Sequence, residues 1–281
     1  MEPKDLFKKG CRPDKLDFRD FRAEIALKAI PLPEEFSVSN RISWIKNQGS
    51  SGSCVAQAIS YYAEVLNQRE TGKDTKLSAR DIYSLIHAPG GGAGIRDACN
   101  KLIKSGIIPE EKAPSYLNGQ PPGEPFMRQR NDITPEEVEE GNIYLAKSYV
   151  RVPTTSLEAI KQAIYQGSGC VSGILGGSGT FSQTIAKPIF PIVWGHSLFL
   201  TGWRKINGKE FIQFCNSWGT EFGERGFGYF GEDCIKAGII FNPWTIMDFP
   251  NSYYQKLKEQ ASLLTKLVLL YRQLIELLKK K

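Results

Sequence analysis

The sequence lacks the features that mark several common classes of protein. No apolar run among its 281 residues approaches the length needed to span a bilayer, and no secretory signal is visible at the N-terminus. No two of the six cysteines have Cys-x-x-Cys spacing, so we predict no metal site and no cofactor. If one cysteine is a working thiol, the other five cannot all pair within the chain. With the missing signal, this favours a reducing compartment and a cytoplasmic protein.

Positive charge is scarce in the body of the chain. The net charge is +6, but residues 253–281 hold seven Lys or Arg against two Glu, which leaves +1 for all the other residues. A protein that binds nucleic acid needs a basic face on its folded body. We therefore predict no nucleic-acid partner.

The pattern along the chain predicts an α+β protein with two lobes. Residues 1–36 are polar and irregular and form an N-terminal extension, and residues 37–250 form the body. Apolar residues at three- and four-residue steps predict that the first half of the body is mainly helical. The predicted helices cover 54–70, a stretch capped by Ser78, and 95–104.

The second half of the body is richer in strand patterns. Strands are predicted over 142–152, 170–176, 196–206 and 210–216, with a helix that ends at Gly167 between the first two. Asn207-Gly208 joins the last two strands and is a strong hairpin signal. A cleft between a helical and a β lobe is the usual place for a functional site.

Residues 251–281 contain a predicted amphipathic helix. Its leucine-rich face is wider than the apolar stripe of a two-stranded coiled coil. A face of this size would promote aggregation if it were exposed, so it must be covered. It can dock on the body, self-associate or lie flat on an anionic membrane. The heptad-like spacing favours a homo-oligomer through this helix, with membrane-surface contact the weakest of the three.

One cysteine stands at the start of a predicted helix, behind a run of small residues. In "NQGSSGSCVAQAIS", residues 47–60, the cysteine is Cys54. The partial positive charge of a helix N-terminus favours a thiolate, and small residues let a substrate backbone come close. Cys54 is therefore a candidate nucleophile, and we expect its pKa to lie well below the ~8.5 of a free thiol.

A nucleophilic thiol needs an imidazole and a group that orients it, and the chain has only two histidines. His87 ends the second predicted helix, which favours a structural role. His196 begins a strand, and the hairpin returns Asn216 to its neighbourhood. Cys54, His196 and Asn216 are therefore the candidate catalytic residues.

Three motifs resemble those of the papain-like cysteine peptidases. "NQGSSGSCVAQAIS", "GHSLFLTGW" and "NSWGTEFGERGFGYF" are similar to that family's cysteine, histidine and asparagine segments, in the same order. His196 lies 142 residues after Cys54, close to the roughly 130–150 residues typical of the family. The resemblance covers about residues 14–249 and implies a papain-like two-lobe fold. The short segment before the body resembles a bacterial branch.

The resemblance also implies roles for the site residues. Cys54 would be the nucleophile, paired with His196 as a thiolate and an imidazolium, and Asn216 would orient His196. Gln48 and the backbone N–H of Cys54 would donate to the oxyanion. Ser51 replaces a cysteine of a common family disulfide, which is therefore absent.

Four further residues are predicted to contact the substrate or to shield the site. Gly91 and Gly92, in "GGGAG", match a glycine pair that binds the substrate backbone in the family, although a flexible loop is an alternative interpretation. Gly195 precedes the histidine. Trp218 would cover the bond between Asn216 and His196, although simple core burial would also explain it.

Together these features predict a cysteine endopeptidase that hydrolyses peptide or protein substrates through a thioester acyl-enzyme. The alternatives are an exopeptidase or an acyl transferase on the same fold and, less favoured, an inert papain-like binding module. Residues 1–36 occupy the place of the family's propeptide, so we expect them to restrain the enzyme.

Overall fold

The computed structural model describes residues 10–15, 17, 20 and 27–247 of the chain. The predicted C-terminal helix lies outside these described residues. Two short strands precede the first long helix: β1 (Cys11–Arg12) and β2 (Phe36–Ser37). β1 pairs in parallel with a third short strand, β3 (Ala93–Gly94).

The first half of the body forms a helical lobe, as predicted. Its helices are α1 (Cys54–Thr71), α2 (Ala79–Ile86), α3 (Ile95–Ser105), α4 (Glu124–Met127) and α5 (Pro135–Gly141). The predicted cap of α2 is confirmed, because the Ser78 side chain accepts a hydrogen bond from the Asp81 N–H. α1 ends at Gly72, whose φ of 70° suits a residue without a side chain.

The second half forms an antiparallel sheet. Its strands are β4 (Ser148–Arg151), β5 (Cys170–Gly176), β6 (Trp194–Ile206), β7 (Lys209–Cys215), β8 (Phe227–Phe230) and β9 (Ile240–Met247). The strand order is β4-β9-β5-β6-β7-β8, and β2 adds to β6. Helix α6 (Leu157–Gly167) follows β4, and α7 (Glu232–Lys236) precedes β9. The hairpin between β6 and β7 is confirmed.

One detail of the sequence prediction is wrong. The strand predicted over 142–152 begins only at Ser148, because Asn142–Tyr144 is a 3-10 helix and the following Ala146 N–H donates to the Leu102 carbonyl of α3. The helix predicted to end at Gly167 does end there, and the left-handed residue that follows it is Ser168. Gly167 also permits close packing, since a Cβ there would lie 2.0 Å from a Thr245 oxygen.

Two tyrosines hold α1 against the sheet. The Tyr62 hydroxyl donates to the Gly167 carbonyl at 2.8 Å and accepts from the Ile246 N–H at 3.0 Å. Tyr61 stacks on Phe199 of β6, with ring centroids 6.3 Å apart. The N-terminus of α1 is thereby fixed next to the start of β6.

Candidate active site

Cys54 is the first residue of α1 and has no exposed surface. Its sulfur lies against β6, near the backbone N–H of Ser197, which lowers the pKa of the thiol. Ser197 directly follows His196 in that strand. The packing of α1 on the sheet therefore brings the cysteine segment and the histidine segment together, although 142 residues separate them in the chain.

His196 and Asn216 are joined by a buried hydrogen bond. His196 Nε2 lies 2.7 Å from Asn216 Oδ1, and the same oxygen accepts the Ser217 N–H at 2.8 Å. A carbonyl oxygen only accepts, so Nε2 must carry the hydrogen. In the neutral imidazole this leaves Nδ1 as a proton acceptor, which is the state that a general base needs.

The protonation states differ from the sequence prediction. Burial raises the pKa of Cys54 to about 12, and hydrogen bonds from the Ser197, Val55 and Cys54 N–H groups offset only part of this rise. Burial lowers the pKa of His196 to about 4 despite its bond to Asn216. Desolvation outweighs the helix N-terminus here, so both shifts favour the uncharged thiol and the uncharged imidazole in this closed arrangement. Both directions are opposite to those of the predicted ion pair and the predicted low thiol pKa.

Gln48 is held from both ends of its side-chain amide. Its Oε1 accepts the Ser217 hydroxyl at 2.7 Å, and its Nε2 donates to the Ser51 carbonyl at 2.8 Å. These bonds fix the amide orientation, and Nε2 carries a second hydrogen. Gln48 lines the same cleft as His196, so that hydrogen is available to a carbonyl oxygen bound there.

Trp218 lies beside the imidazole on the open side of the site. The centroids of its ring and the His196 ring are 4.7 Å apart, and 38% of the tryptophan is exposed. Phe181 meets the Trp218 ring edge to face at 5.4 Å. Trp218 therefore packs against the imidazole while part of its own surface stays exposed, so it is not a core residue.

Residues 90–94 of the helical lobe, which we call the glycine loop, face a cleft of about 350 Å³. The same cleft also borders Gly195, His196 and Trp218. The N–H and C=O of Gly92 are both used inside this lobe, by the Tyr83 hydroxyl and by the Ala88 N–H. The Gly91 carbonyl and the Ala93 N–H instead face the N-terminal segment of the protein, where they bond to Arg12 and Gly10. Of the predicted pair, Gly91 therefore presents a backbone group, whereas Gly92 permits close approach.

Residues 10–15, which we call the N-terminal arm, lie between the two lobes. The Gly10 carbonyl accepts a hydrogen bond from the Ala93 N–H at 3.0 Å, and Gly10 pairs with Gly195 in a single parallel β-bridge. Arg12 donates twice to the Gly91 carbonyl, at 2.6 and 3.0 Å. The arm therefore contacts both sides of the cleft, and on one side it holds the carbonyl of Gly91, a predicted substrate-binding residue.

The arm is also anchored beyond the cleft and buried next to the thiol. Asp14 accepts the Trp244 indole N–H at 2.8 Å and the Arg96 N–H at 3.3 Å. Cys11 is completely buried. Burial first, and then the nearby charges of Cys54 and Asp14, raise the pKa of the Cys11 thiol. The thiol of Cys54 and that of Cys11 thus share one desolvated region.

Several residues of the site have no signal in the sequence analysis. Ser217 holds both Asn216 and Gln48, and it could have been suspected because it follows the asparagine in the motif. Ser197 likewise follows the histidine in its motif, whereas Glu124 and Phe181 belong to no motif. His87 caps α2 with Nδ1 3.2 Å from the Tyr83 carbonyl, as expected of a structural histidine. Within the described residues, no cluster of His, Cys, Asp and Glu could hold a metal ion.

Comparison with known proteins gives consistent matches over most of the chain. The chain is 26% identical to a cysteine protease of Blomia tropicalis, in a match that covers 74% of this chain and 64% of that protein. The chain spans 61–64% of the length of the first curated relatives that it matches.

Solved structures show the same fold. Xylellain, a cysteine protease from Xylella fastidiosa, matches with a TM-score of 0.70 and 22% identity, over 86% of this chain and 97% of that one. The proform of the Amb a 11 cysteine protease, a ragweed pollen allergen, matches with a TM-score of 0.65 and 21% identity, over 80% of this chain and 68% of that one. The model of the papain family cysteine proteases matches residues 32–240, which is well over half of the sequence. The chain therefore belongs to the papain family of cysteine proteases.

Proposed function

We propose that the chain is a cysteine endopeptidase that hydrolyses peptide bonds with Cys54, His196 and Asn216. The observation that carries this proposal is the pair of hydrogen bonds to Asn216 Oδ1, which turns the unprotonated Nδ1 of His196 away from the asparagine. The thiol stands beside the next residue of the same strand. This arrangement supplies a nucleophile, a base and a group that orients the base.

Acylation is the first half of the reaction. His196 Nδ1 takes the thiol proton as the sulfur of Cys54 bonds to the substrate carbonyl carbon. The carbonyl oxygen becomes an oxyanion, which the free Nε2 hydrogen of Gln48 and the Cys54 N–H stabilise. His196 then returns its proton to the amine as the carbon–nitrogen bond breaks, which leaves a thioester.

Deacylation repeats these roles with water. His196 Nδ1 takes a proton from the water as its oxygen bonds to the thioester carbon. The oxyanion forms against the same two donors, and the carbon–sulfur bond breaks as the thiol regains the proton. Asn216 keeps the imidazole in one orientation through both halves of the reaction.

We also propose that the N-terminal arm restrains this activity. Gly10 and Arg12 occupy the Ala93 N–H and the Gly91 carbonyl, and Gly10 contacts Gly195. A peptide cannot use these groups while the arm holds them. Peptide hydrolysis therefore requires the arm to leave the cleft.

Labelling with an epoxysuccinyl-peptide inhibitor tests the nucleophile directly. We expect mass spectrometry to find the label on Cys54, and we expect Cys54→Ala to lose both labelling and hydrolysis of a blocked peptide. Cys99→Ala is the matched control, because Cys99 is equally buried but lies inside α3. Hydrolysis that persists in Cys54→Ala would refute the proposal.

Product analysis separates the peptidase alternatives. An endopeptidase cuts a peptide blocked at both ends, whereas an exopeptidase does not. An acyl transferase passes the acyl group to an added amine in preference to water. An inert binding module shows neither hydrolysis nor labelling.

We propose, from the sequence pattern alone, that residues 251–281 associate with those of other copies to form a homo-oligomer. The leucine-rich face needs a partner, and membrane-surface contact is the less favoured alternative. Among the described residues, no helix has the length and hydropathy to cross a membrane. The cytoplasmic location is likewise a proposal that rests on the sequence.

A further inference from the structure

The loop that leads into Cys54 is held by hydrogen bonds rather than by a covalent crosslink. All six cysteines lie in the described residues and all are free. The N–H of Gly52, two residues before the thiol, donates to Glu124 Oε2 at 2.6 Å. Glu124 is the first residue of the short helix α4, far from Gly52 in the sequence. A carboxylate from another segment therefore fixes the backbone next to the nucleophile.

The other oxygen of Glu124 leads to the glycine loop. The Tyr83 hydroxyl donates to Glu124 Oε1 at 2.8 Å and accepts the Gly92 N–H at 2.9 Å. Arg128 donates to the same carboxylate oxygen through Nε at 2.7 Å. A continuous chain of hydrogen bonds thus runs from Gly52 through Glu124 and Tyr83 to Gly92.

The two loops also touch directly. A Cβ on Gly52 would lie 2.8 Å from the Gly92 nitrogen and 2.9 Å from the Tyr83 hydroxyl. Both distances are too short for a real contact, so there is room for only a backbone without a side chain at this point. A shift of either loop must therefore displace the other or break the hydrogen-bonded chain.

We infer that Glu124 is a positioning residue that couples the nucleophile loop to the glycine loop on which the substrate backbone is bound. The inference rests on the proposed peptidase function and extends it. Gly91 and Ala93 flank Gly92 and present the groups that the cleft offers to a peptide. One carboxylate thus sets the separation between the attacking sulfur and the bound backbone.

The chemistry requires the ionised carboxylate. Its partners are the Gly52 N–H, the Tyr83 O–H and the Arg128 guanidinium, all of which donate. A glutamine offers one accepting oxygen and one donating NH₂ group, so it must set a donor against at least one of these donors. Although burial raises the pKa of Glu124, the hydrogen bonds from Gly52, Tyr83 and Arg128 outweigh it and lower that pKa.

The first experiment measures amide hydrogen exchange in Glu124→Gln and Tyr83→Phe, each in the full chain. In Glu124→Gln we expect faster exchange, by about tenfold or more, in peptides that span 49–53 and 90–93. In Tyr83→Phe we expect the increase in 90–93, because the bond between Glu124 and Gly52 remains. This readout does not depend on peptidase activity.

The second experiment measures kcat and KM for a blocked peptide. We expect Glu124→Gln to lower kcat by up to about 10²-fold, since a displacement near 1 Å of a reacting group has an effect of that order. Tyr83→Phe should mainly raise KM, because it frees only the glycine loop. The double variant should lose less in kcat/KM than the product of the two single losses, since both act in one chain.

Glu232→Gln is the matched control. Glu232 is also the first residue of a short helix and pairs with a cation four residues later, Lys236, at 3.0 Å. It makes no contact with the loops around Cys54, so we expect wild-type exchange and kinetics.

Exchange and kinetics in Glu124→Gln that match those of Glu232→Gln would overturn the inference. Multiplicative effects of the two substitutions on kcat/KM would also overturn it. If neither wild type nor a chain whose arm is released by Gly10→Ala cleaves peptide, the proposed function fails, and the exchange measurement alone decides whether Glu124 couples the loops.

Discussion

Replacing Gly10 by alanine should release the N-terminal arm and raise peptidase activity. Gly10 has a φ of 120° and lies between the Gly195 carbonyl and the glycine loop. A Cβ at Gly10 would be 2.2 Å from the Gly195 oxygen, far inside a normal contact distance. Both neighbours are backbone atoms, which cannot turn aside as a flexible side chain does.

The size of the effect follows from two costs in the closed state. An alanine at this φ costs roughly 1–3 kcal/mol in backbone strain. Moving Gly10 away from Gly195 also presses it against the glycine loop and distorts its 3.0 Å bond to the Ala93 N–H, which contributes about 0.5–1.5 kcal/mol. A total near 3 kcal/mol shifts the ratio of closed to open chains on the order of 10²-fold. Activity should rise until the open form predominates.

The assay is the initial rate of hydrolysis of a blocked peptide by the full chain, with alkylation of Cys54 as a second readout. Gly72→Ala is the matched control. Gly72 also has a positive φ, of 70°, but no atom lies within 4 Å of its ideal Cβ. It should lose stability through strain without gaining activity, because it ends α1 away from the arm.

Two results would refute the reasoning about Gly10. One is a Gly10→Ala protein that folds well and cleaves peptide at the wild-type rate, because the arm then does not limit access. The other is an equal gain in Gly72→Ala, because the effect would then come from general loosening.

Three further predictions concern the site and the C-terminal segment. Gln48→Ala should lower kcat by about 10²–10³-fold, the usual cost of one oxyanion donor, and Asn216→Ala should cost less because it orients rather than reacts; equal losses would contradict these roles. Burial lowers the pKa of His196 to about 4, so the folded state loses stability as pH falls from 6.5 toward 4, where the unfolded chain binds a proton that the folded chain does not. Urea unfolding should show a fall of about 3 kcal/mol in the free energy of unfolding over this range, and the fall should be absent in His196→Gln. Truncation after Asn251 should yield a monomer by light scattering, and a full-length chain that is already monomeric would rule out self-association.

Local sequence patterns predicted most of the secondary structure because local physics determines it. The turn between β6 and β7 is an example, since Asn207 and Gly208 have φ values of 50° and 74°. Few residues other than asparagine and glycine accept this backbone at adjacent positions. The stop of α1 at Gly72 has the same origin. The predicted start of β4 was wrong because a contact of Ala146 with α3 overrides the local preference for a strand before Ser148.

The contacts that complete the site could not be predicted in this way. Glu124 reaches Gly52 from a loop-rich segment with no motif, and Arg12 reaches Gly91 from an irregular extension. These pairings depend on where distant segments pack rather than on periodicity. The motifs predicted the candidate reacting residues, while the groups that position and cover them come from tertiary structure.

The disagreement about the pKa of Cys54 has the same explanation and leads to a last prediction. A helix N-terminus lowers the pKa of a thiol, whereas complete burial beside Cys11 raises the pKa of Cys54 to about 12. Removing the arm returns water to the site, so the pKa of Cys54 should fall and that of His196 should rise toward its ordinary value. Alkylation by iodoacetamide should therefore be slow in wild type and increase with pH, and it should stay fast below neutrality in Gly10→Ala. Identical pH profiles for the two proteins would show that the arm does not control ionisation of the thiol.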